Sequence, residues 1–374
     1  MSHTQQRAKT VLQLTGMHCT KYGGMEQFLA EIVRTCRDRG FGSLLQYESM
    51  PKSDEYLNVL EGLGARVIVR EAAPRRVKNI MATVELLRSS RAHVVHTHFS
   101  DTHVIAMAGT VGRLAGARRV VSTVHYDYGH TAPVSARHAY NRFDHVLAVS
   151  EAVNHDLVAG GVKQELVKTH YMGLIGERVQ SPAKRQAIRA ELGIPADAVV
   201  IGNIAFDAPF KGIDVLLAAI QEVVKHRRDV YLLQVGVDPA VSPLQSAAVD
   251  LGIGDSLRWA GIRDSGWKML NAADFYVQSS RFGEGLPLAV MEAMALRLPV
   301  VATMVSGNQE AVVDGRTGML VPPGDPAVLA GAILDLAGRR SEWQGLGEAG
   351  HARFRELFDG HRSVARLVDA FYSI

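Results

Sequence analysis

Short apolar runs recur along the chain, and the segments between them carry apolar positions at helical spacing. The first series of runs falls at residues 11–14, 67–69, 93–96, 120–124 and 146–149. Continuous apolar runs of this length predict strands buried on both faces. Residues 25–37 follow the first run and predict a helix, entered through Gly23-Gly24. Residues 173–189 then interrupt the alternation. They are polar and contain Pro182, which predicts a linker or a helix-bearing crossover. A second series follows at residues 199–202, 231–235, 256–259, 275–277 and 300–302. From Asp325 the pattern is helical to an apolar end at Phe371-Tyr372, which predicts an end that docks rather than frays. Alternating strand and helix predict an α/β fold with parallel sheets. Two such series predict two Rossmann-like domains with parallel sheets facing across a cleft. The expected boundaries are residues 1–178 and 179–359, with a last helix at about 360–374 packing back on the first domain.

One stretch concentrates the chemistry. The strand Phe275-Tyr276-Val277 runs into the turn Gly283-Glu284-Gly285, and then into a helix with Leu288, Met291, Ala295 and Leu298 on one face. Pro287 is expected in the first helical turn, where its missing N–H costs nothing, and Pro299 lies beyond the end. Such a helix start is a ready anion site. Glu284 and Glu292 bracket it. A glycosidase pair stands about 5–9.5 Å apart. Eight mostly helical steps cover about 12 Å at ~1.5 Å each, which argues against that role. The wider spacing fits a sugar at Glu284, a ribose at Glu292 and a diphosphate between them on the helix N–H groups. The bland alternative for Glu292 is a solvated position beside the apolar stripe.

Lys211-Gly212 opens another helix after the loop at residues 206–210, and its ammonium is placed to meet a departing diphosphate. His125 ends a strand, where polar side chains of α/β proteins often point into the cleft, although a lone histidine is more often a core or surface residue. His96-Thr97-His98 also ends a strand, in the manner of a metal-dependent hydrolase. Later strands lack the further ligands such a centre needs, so no metal site is expected.

Length and composition narrow the class. The 374 residues are 47% hydrophobic and 21% charged, which suits two ordinary globular cores. Cys19 and Cys36 make no disulfide framework and point to a reducing compartment. No run approaches the ~20 apolar residues of a membrane span, and the polar N-terminus shows no signal-peptide pattern. A cytoplasmic location is expected. Residues 1–180 hold 22 Lys and Arg against 16 Asp and Glu, while residues 181–374 hold 19 against 22. The basic first half hints at an anionic surface such as the inner face of a membrane, with no sign of a nucleic-acid partner. A candidate contact is the helix near residues 74–88, with Arg75, Arg76, Lys78 and Arg88 around Ile80, Val84 and Leu87.

The run from Glu284 to Glu292 resembles the E-x7-E motif of family 4 retaining glycosyltransferases, which have the GT-B fold. Further segments resemble that family in the same order. They are Gly23-Gly24-Met25-Glu26, the strand ending in His96-Thr97-His98, Val149-Ser150-Glu151, Lys211-Gly212, and Thr317-Gly318-Met319-Leu320-Val321 leading to Asp325. The resemblance implies an N-terminal acceptor-binding domain and a C-terminal domain for a nucleotide-sugar donor, UDP- or GDP-linked, with no cofactor and no metal. It implies that Glu284 contacts the donor sugar, that Gly283, Gly285 and Leu286 lie against sugar and phosphate, and that Glu292 binds the ribose. Lys211 would stabilise the leaving diphosphate. Gly24 would approach the phosphates, His125 would lie beside the transferring sugar, and Ile262 near the base. Catalysis would thus rest on His125, Lys211 and Glu284.

Two departures stand out. Where the family commonly carries an arginine after the strand's glycine, Gly202 is followed here by Asn203, so Arg263 is an alternative source of positive charge. The family's N-G-I/V-D turn is reduced to Met172-Gly173-Leu174. The expected activity is transfer of a sugar to an acceptor hydroxyl in polysaccharide, lipopolysaccharide or glycolipid synthesis, the acceptor being a saccharide or a lipid-linked saccharide. The alternatives are a nucleotide-sugar isomerase or hydrolase of the same fold, or a non-catalytic relative.

Overall fold

Val11, Leu12 and Leu14 are all but inaccessible to solvent, as strands covered on both faces require. They belong to β1 (Lys9–Thr15) in a computed structural model that describes residues 9–70, 76–100, 102–126 and 134–373. After β1 come α1 (Gly24–Asp38), β2 (Phe41–Tyr47), α2 (Asp54–Gly62), β3 (Arg66–Val69), α3 (Arg76–Ser90) and β4 (Val94–His98). Then follow α4 (Thr102–Leu114), β5 (Arg119–Val124), α5 (Val134–Tyr140), β6 (His145–Ala148), α6 (Glu151–Ala159) and β7 (Val167–Thr169). All pairings in this sheet are parallel, in the order β3-β2-β1-β4-β5-β6-β7. The order reverses between β1 and β4, the switch point at which open α/β sheets bind ligands.

The second unit begins with α7 (Pro182–Glu191), capped by Ser181 and started by Pro182 at its first turn. Arg185 and Arg189 tie it to Asp274 at 2.5 and 2.9 Å. The polar stretch at residues 173–189 is therefore partly a docked helix. Beyond it lie β8 (Val199–Ile204), α8 (Ile213–His226), β9 (Val230–Val235), α9 (Pro243–Asp250), β10 (Leu257–Gly261), β11 (Phe275–Gln278) and α10 (Leu288–Ala295). The unit continues through β12 (Val300–Thr303), α11 (Ser306–Ala311), β13 (Gly318–Val321), α12 (Pro326–Gly338) and α13 (Trp343–Leu357). Its parallel sheet has the order β10-β9-β8-β11-β12-β13, with the switch point between β8 and β11.

The last helix, α14 (Gly360–Phe371), belongs to the first unit. One unit holds the described residues up to Ile175 and from Gly360, and the other is Gly176–Asp359. Val364, Leu367 and Val368 form the buried stripe of α14, which packs on α1. Arg39 grips Asp369 through two bonds of 2.9 and 3.1 Å. The Tyr372 hydroxyl meets His96 Nδ1.

Two expectations change. β2, β7 and β13 are strands that the apolar runs did not predict; Gly42 and Ser43 break the run in β2, yet it pairs with β1 from Lys9 with Phe41 to Leu14 with Gln46. The helix after Glu284 begins at Leu288, with Pro287 as its N-cap at φ −80° and ψ 98°. Gly285 and Leu286 thus lie in the preceding turn, and only the second half of the Glu284–Glu292 interval is helical. An axial rise of ~1.5 Å per residue therefore does not measure that separation.

Candidate functional site

Lys211 and Glu284 leave adjacent strands, β8 and β11, at the switch point of the second sheet. Local geometry explains how they meet. A short turn, Pro209–Lys211, ends at Gly212, which caps α8 in the left-handed region at φ +61°. A Cβ on Gly212 would stand 2.2 Å from the Ser279 carbonyl oxygen, so glycine is required there. The Ser279 hydroxyl donates to the Lys211 carbonyl at 3.0 Å, and the Arg281 amide to the Phe210 carbonyl at 2.8 Å. These bonds lash the two loops together. Lys211 Nζ then lies 2.7 Å from Glu284 Oε1. The ammonium also sits over the rings of Phe206 and Phe210, 5.6 and 4.9 Å from their centroids.

Glu284 is buried, and its Oε1 also accepts from Gln278 Nε2 at 2.9 Å and the Ser280 hydroxyl at 2.5 Å. Gly283 precedes it at φ +74°. The Glu284 backbone carbonyl accepts from the Gly307 amide at 3.1 Å. Gly307 packs so closely that a Cβ would stand 2.4 Å from the Gly285 carbonyl oxygen. The turn holding Gly285 and Leu286 is thus pinned from the start of α11. Pro287 has no side chain able to cap α10, which leaves its first-turn N–H groups as an anion-binding end.

Glu292 follows on α10 and is buried, not solvated. Its charge acts on Arg178, whose pKa burial lowers and Glu292 raises in part. The Arg178 guanidinium stacks over Trp267, 4.8 Å from the ring centroid. Burial pushes the Tyr276 phenol well above its ordinary range, and the charges of Glu284 and Glu292 add to that rise. Both carboxylates therefore act on one buried hydroxyl beneath the turn.

The first unit brings a second group of expected residues to its own switch point. Gly23 caps α1, Gly24 is its first residue, and the Gly23 amide donates to Glu26 Oε2 at 3.0 Å. His125 follows β5, stacked on Phe99 with centroids 3.9 Å apart. Its Nε2 lies 3.3 Å from His98 Nδ1. Burial and His98 hold the His125 pKa well below the imidazole range, and burial lowers His98 to about 3. Both ring nitrogens of His96 are taken, by Tyr372 and by the Thr123 hydroxyl at 2.8 Å, so His96 is engaged in packing. A polar recess near the ends of β1 and β2 is lined by Thr15, Gln46, Glu48, Arg70, Asn79 and His103.

Two family models cover the chain in succession. The one described as Glycosyltransferase Family 4 matches residues 22–174. The one described as Glycosyl transferases group 1 matches residues 195–339. The chain belongs to glycosyltransferase family 4. Among relatives of this glycosyltransferase, a GDP-mannose-dependent alpha-(1-6)-phosphatidylinositol monomannoside mannosyltransferase of Mycolicibacterium smegmatis is 28% identical, over 91% of this chain and 94% of that protein. A D-inositol 3-phosphate glycosyltransferase of Geodermatophilus obscurus is 29% identical, over 93% and 84%. The GT-B fold is shared with HepE of Anabaena, solved in complex with UDP-glucose: TM-score 0.81, 22% identity, 98% of this chain and 100% of that one.

Not every expected donor residue of the glycosyltransferase joins the Lys211–Glu284 group. Asn203 is buried in β8, and its Nδ2 donates to the Val277 carbonyl at 2.7 Å, so it serves the sheet. Arg263 donates to the Ala260 carbonyl at 2.7 Å and lies 3.7 Å from Glu191 on α7, so it is turned to its own loop and helix. Ile262 is 62% exposed beside it. Sequence reasoning missed Gln278, Ser280, Phe206 and Phe210. Period two along β11 places Tyr276 and Gln278 on one face, a signal that was available.

Proposed function

We propose that this glycosyltransferase moves a hexosyl group from a nucleotide-diphosphate sugar to an acceptor hydroxyl with retention of configuration and without a metal ion. The observation that supports this most is the Lys211–Glu284 pair, set before the open end of α10 and within the E-x7-E motif. Glu284 accepts a hydroxyl of the donor sugar. The diphosphate lies on the amides of Gly285 and Leu286 and the first turn of α10, and Glu292 takes the ribose. As the anomeric carbon's bond to phosphate breaks, negative charge grows on the departing oxygen, and Lys211 and the helix start stabilise it. The acceptor oxygen bonds to the same face, and its proton passes to the departing phosphate oxygen. Ile262 offers an apolar surface for the base.

The name of the phosphatidylinositol monomannoside mannosyltransferase points to glycolipid synthesis with a lipid-linked saccharide as acceptor, whereas the other relative's name carries D-inositol 3-phosphate. The polar recess of Arg70, Glu48 and His103 fits a hydroxyl-rich acceptor. The enzyme then works in the cytoplasm at an anionic membrane face. On α3, Lys78 and Arg88 are exposed beside Val77 and Met81, which are 66% and 67% exposed. Pro74 and Arg75 lie outside the described residues. No helix among the described residues is long and apolar enough to cross a membrane.

The test is a panel of UDP- and GDP-linked sugars, scored by thermal stabilisation and then by product analysis with labelled donor and acceptor. A bound donor at 100 times its dissociation constant adds about 2.7 kcal/mol. A Lys211→Met variant is expected to lose about 10²–10³ in kcat, with donor binding weakened less. Wild-type turnover in that variant, or a β-anomeric product from an α-linked donor, would overturn the reading. Salt-sensitive co-sedimentation with anionic liposomes is expected as well, reduced by charge removal at Lys78 and Arg88.

A further inference from the structure

The two oxygens of Glu284 are not equivalent. Oε1 receives Lys211 Nζ at 2.7 Å, Gln278 Nε2 at 2.9 Å and the Ser280 hydroxyl at 2.5 Å. No protein group among the described residues bonds to Oε2. A carboxylate held by one lysine alone would keep rotational freedom, because an ammonium on a flexible stem is a point charge with little angular preference. The planar amide of Gln278 adds direction.

That amide is itself held. Tyr276 and Gln278 stand two apart on β11 and so share a face. The Tyr276 hydroxyl donates to Gln278 Oε1 at 2.7 Å. Burial and the nearby carboxylates keep its proton in place by raising its pKa. With Oε1 taken by Tyr276, Gln278 can present only its Nε2 to Glu284 and to Ser280 Oγ, the latter at 2.9 Å. The flipped amide would set a carbonyl oxygen against the carboxylate. Thr303 closes the other side by donating to the Ser280 carbonyl at 2.6 Å. All five residues are buried.

We infer that Gln278, locked by Tyr276, is a positioning residue that holds Glu284 Oε1 inward and turns Oε2 outward to accept a hydroxyl of the donor sugar. This rests on the assignment of Glu284 to the donor sugar. No bond or proton moves in the relay; it sets the direction of an acceptor.

The test uses the full chain and the donor selected by the nucleotide-sugar panel, in five variants: Glu284→Ala, Gln278→Met, Gln278→Glu, Tyr276→Phe, and Tyr276→Phe with Gln278→Met. Gln278→Met keeps volume and is expected to lower kcat/KM about tenfold. Tyr276→Phe is expected to lower it less. The double variant is expected to lose no more than Gln278→Met, because both act through one amide. Gln278→Glu supplies a readout that simple packing would not move. Two carboxylates in hydrogen-bond contact share one proton at low pH, where the acid donates as the amide did, and repel once both ionise. Its kcat/KM is expected to fall as pH rises, in a window where the wild type stays level. Activity regained at low pH shows that the fold is intact.

If Gln278→Met and Gln278→Glu match the wild type at all pH values while Glu284→Ala is inactive, the positioning role is overturned and the donor site stands. If Glu284→Ala is as active as the wild type, or no donor in the panel is turned over, the donor-site reading falls and the inference with it.

Discussion

Asn203 shows how little a one-letter substitution says until the side chain's direction is known. In sequence it stands where the family commonly carries a cationic partner for the lysine. In the fold it lies inside β8 with 1% exposure, and its amide bonds across to Val277. An arginine placed on this backbone would be buried beside the sheet, where an unpaired charge costs several kcal/mol. Asn203→Arg is therefore expected to lower the thermal midpoint or abolish soluble expression rather than raise activity. A more active and equally stable variant would show that the side chain can reach the donor site. Lys211 has different support. Its ammonium is seated on Phe206 and Phe210, residues of the loop that leads to it.

The elements of the site depend on backbone close approach. Gly212 both caps α8 and lets the Ser279 carbonyl come near. Gly212→Ala adds a left-handed strain of about 1–2 kcal/mol and a steric conflict besides. The variant is expected to melt several degrees lower and to lose turnover as Lys211 shifts. Thermal unfolding alongside kcat on the same preparation checks both. The K-G pair was legible as a motif, and the alternation of strands was legible as apolar runs. The site's floor was not, because Gln278 and Ser280 look like ordinary strand-end polar residues until the β11 turn brings Glu284 back over them. β2 was missed for a related reason. Gly42 and Ser43 lower its apolar content, and parallel pairing with β1 forms it regardless.

At the scale of the whole molecule, α14 returns to the first unit, where Tyr372, just past its end, joins a group of buried histidines. His98 is lowered by burial to about 3, and His170 to about 4, with the Arg366 charge adding to the effect on His170. The His170 ring bonds to Ser363 of α14 at 3.1 Å. These groups stay neutral in the folded state, while the unfolded chain protonates near 6.5. The unfolded chain therefore binds more protons between that value and about 4, so stability is full above pH 6.5 and falls as pH falls through this window. A drop of roughly 5 °C or more in the first unit's midpoint from pH 7 to 4.5 is expected. His170→Asn should flatten part of it, and a midpoint independent of pH would contradict the burial argument.

Sequence by itself determined the fold class, the two series of strands and the carboxylates of the E-x7-E run. Those properties live in local periodicity and in motif spacing, which a chain carries without being folded. Tertiary structure decided what the spacing could not. It brought Lys211 against Glu284 from a neighbouring strand and buried Glu292 within the field that acts on Arg178 and Tyr276. It also turned Asn203 and Arg263 to other partners. The physical reason is that side-chain direction depends on backbone turns such as Gly212 and Gly283, and on partners that lie tens of residues away in the chain.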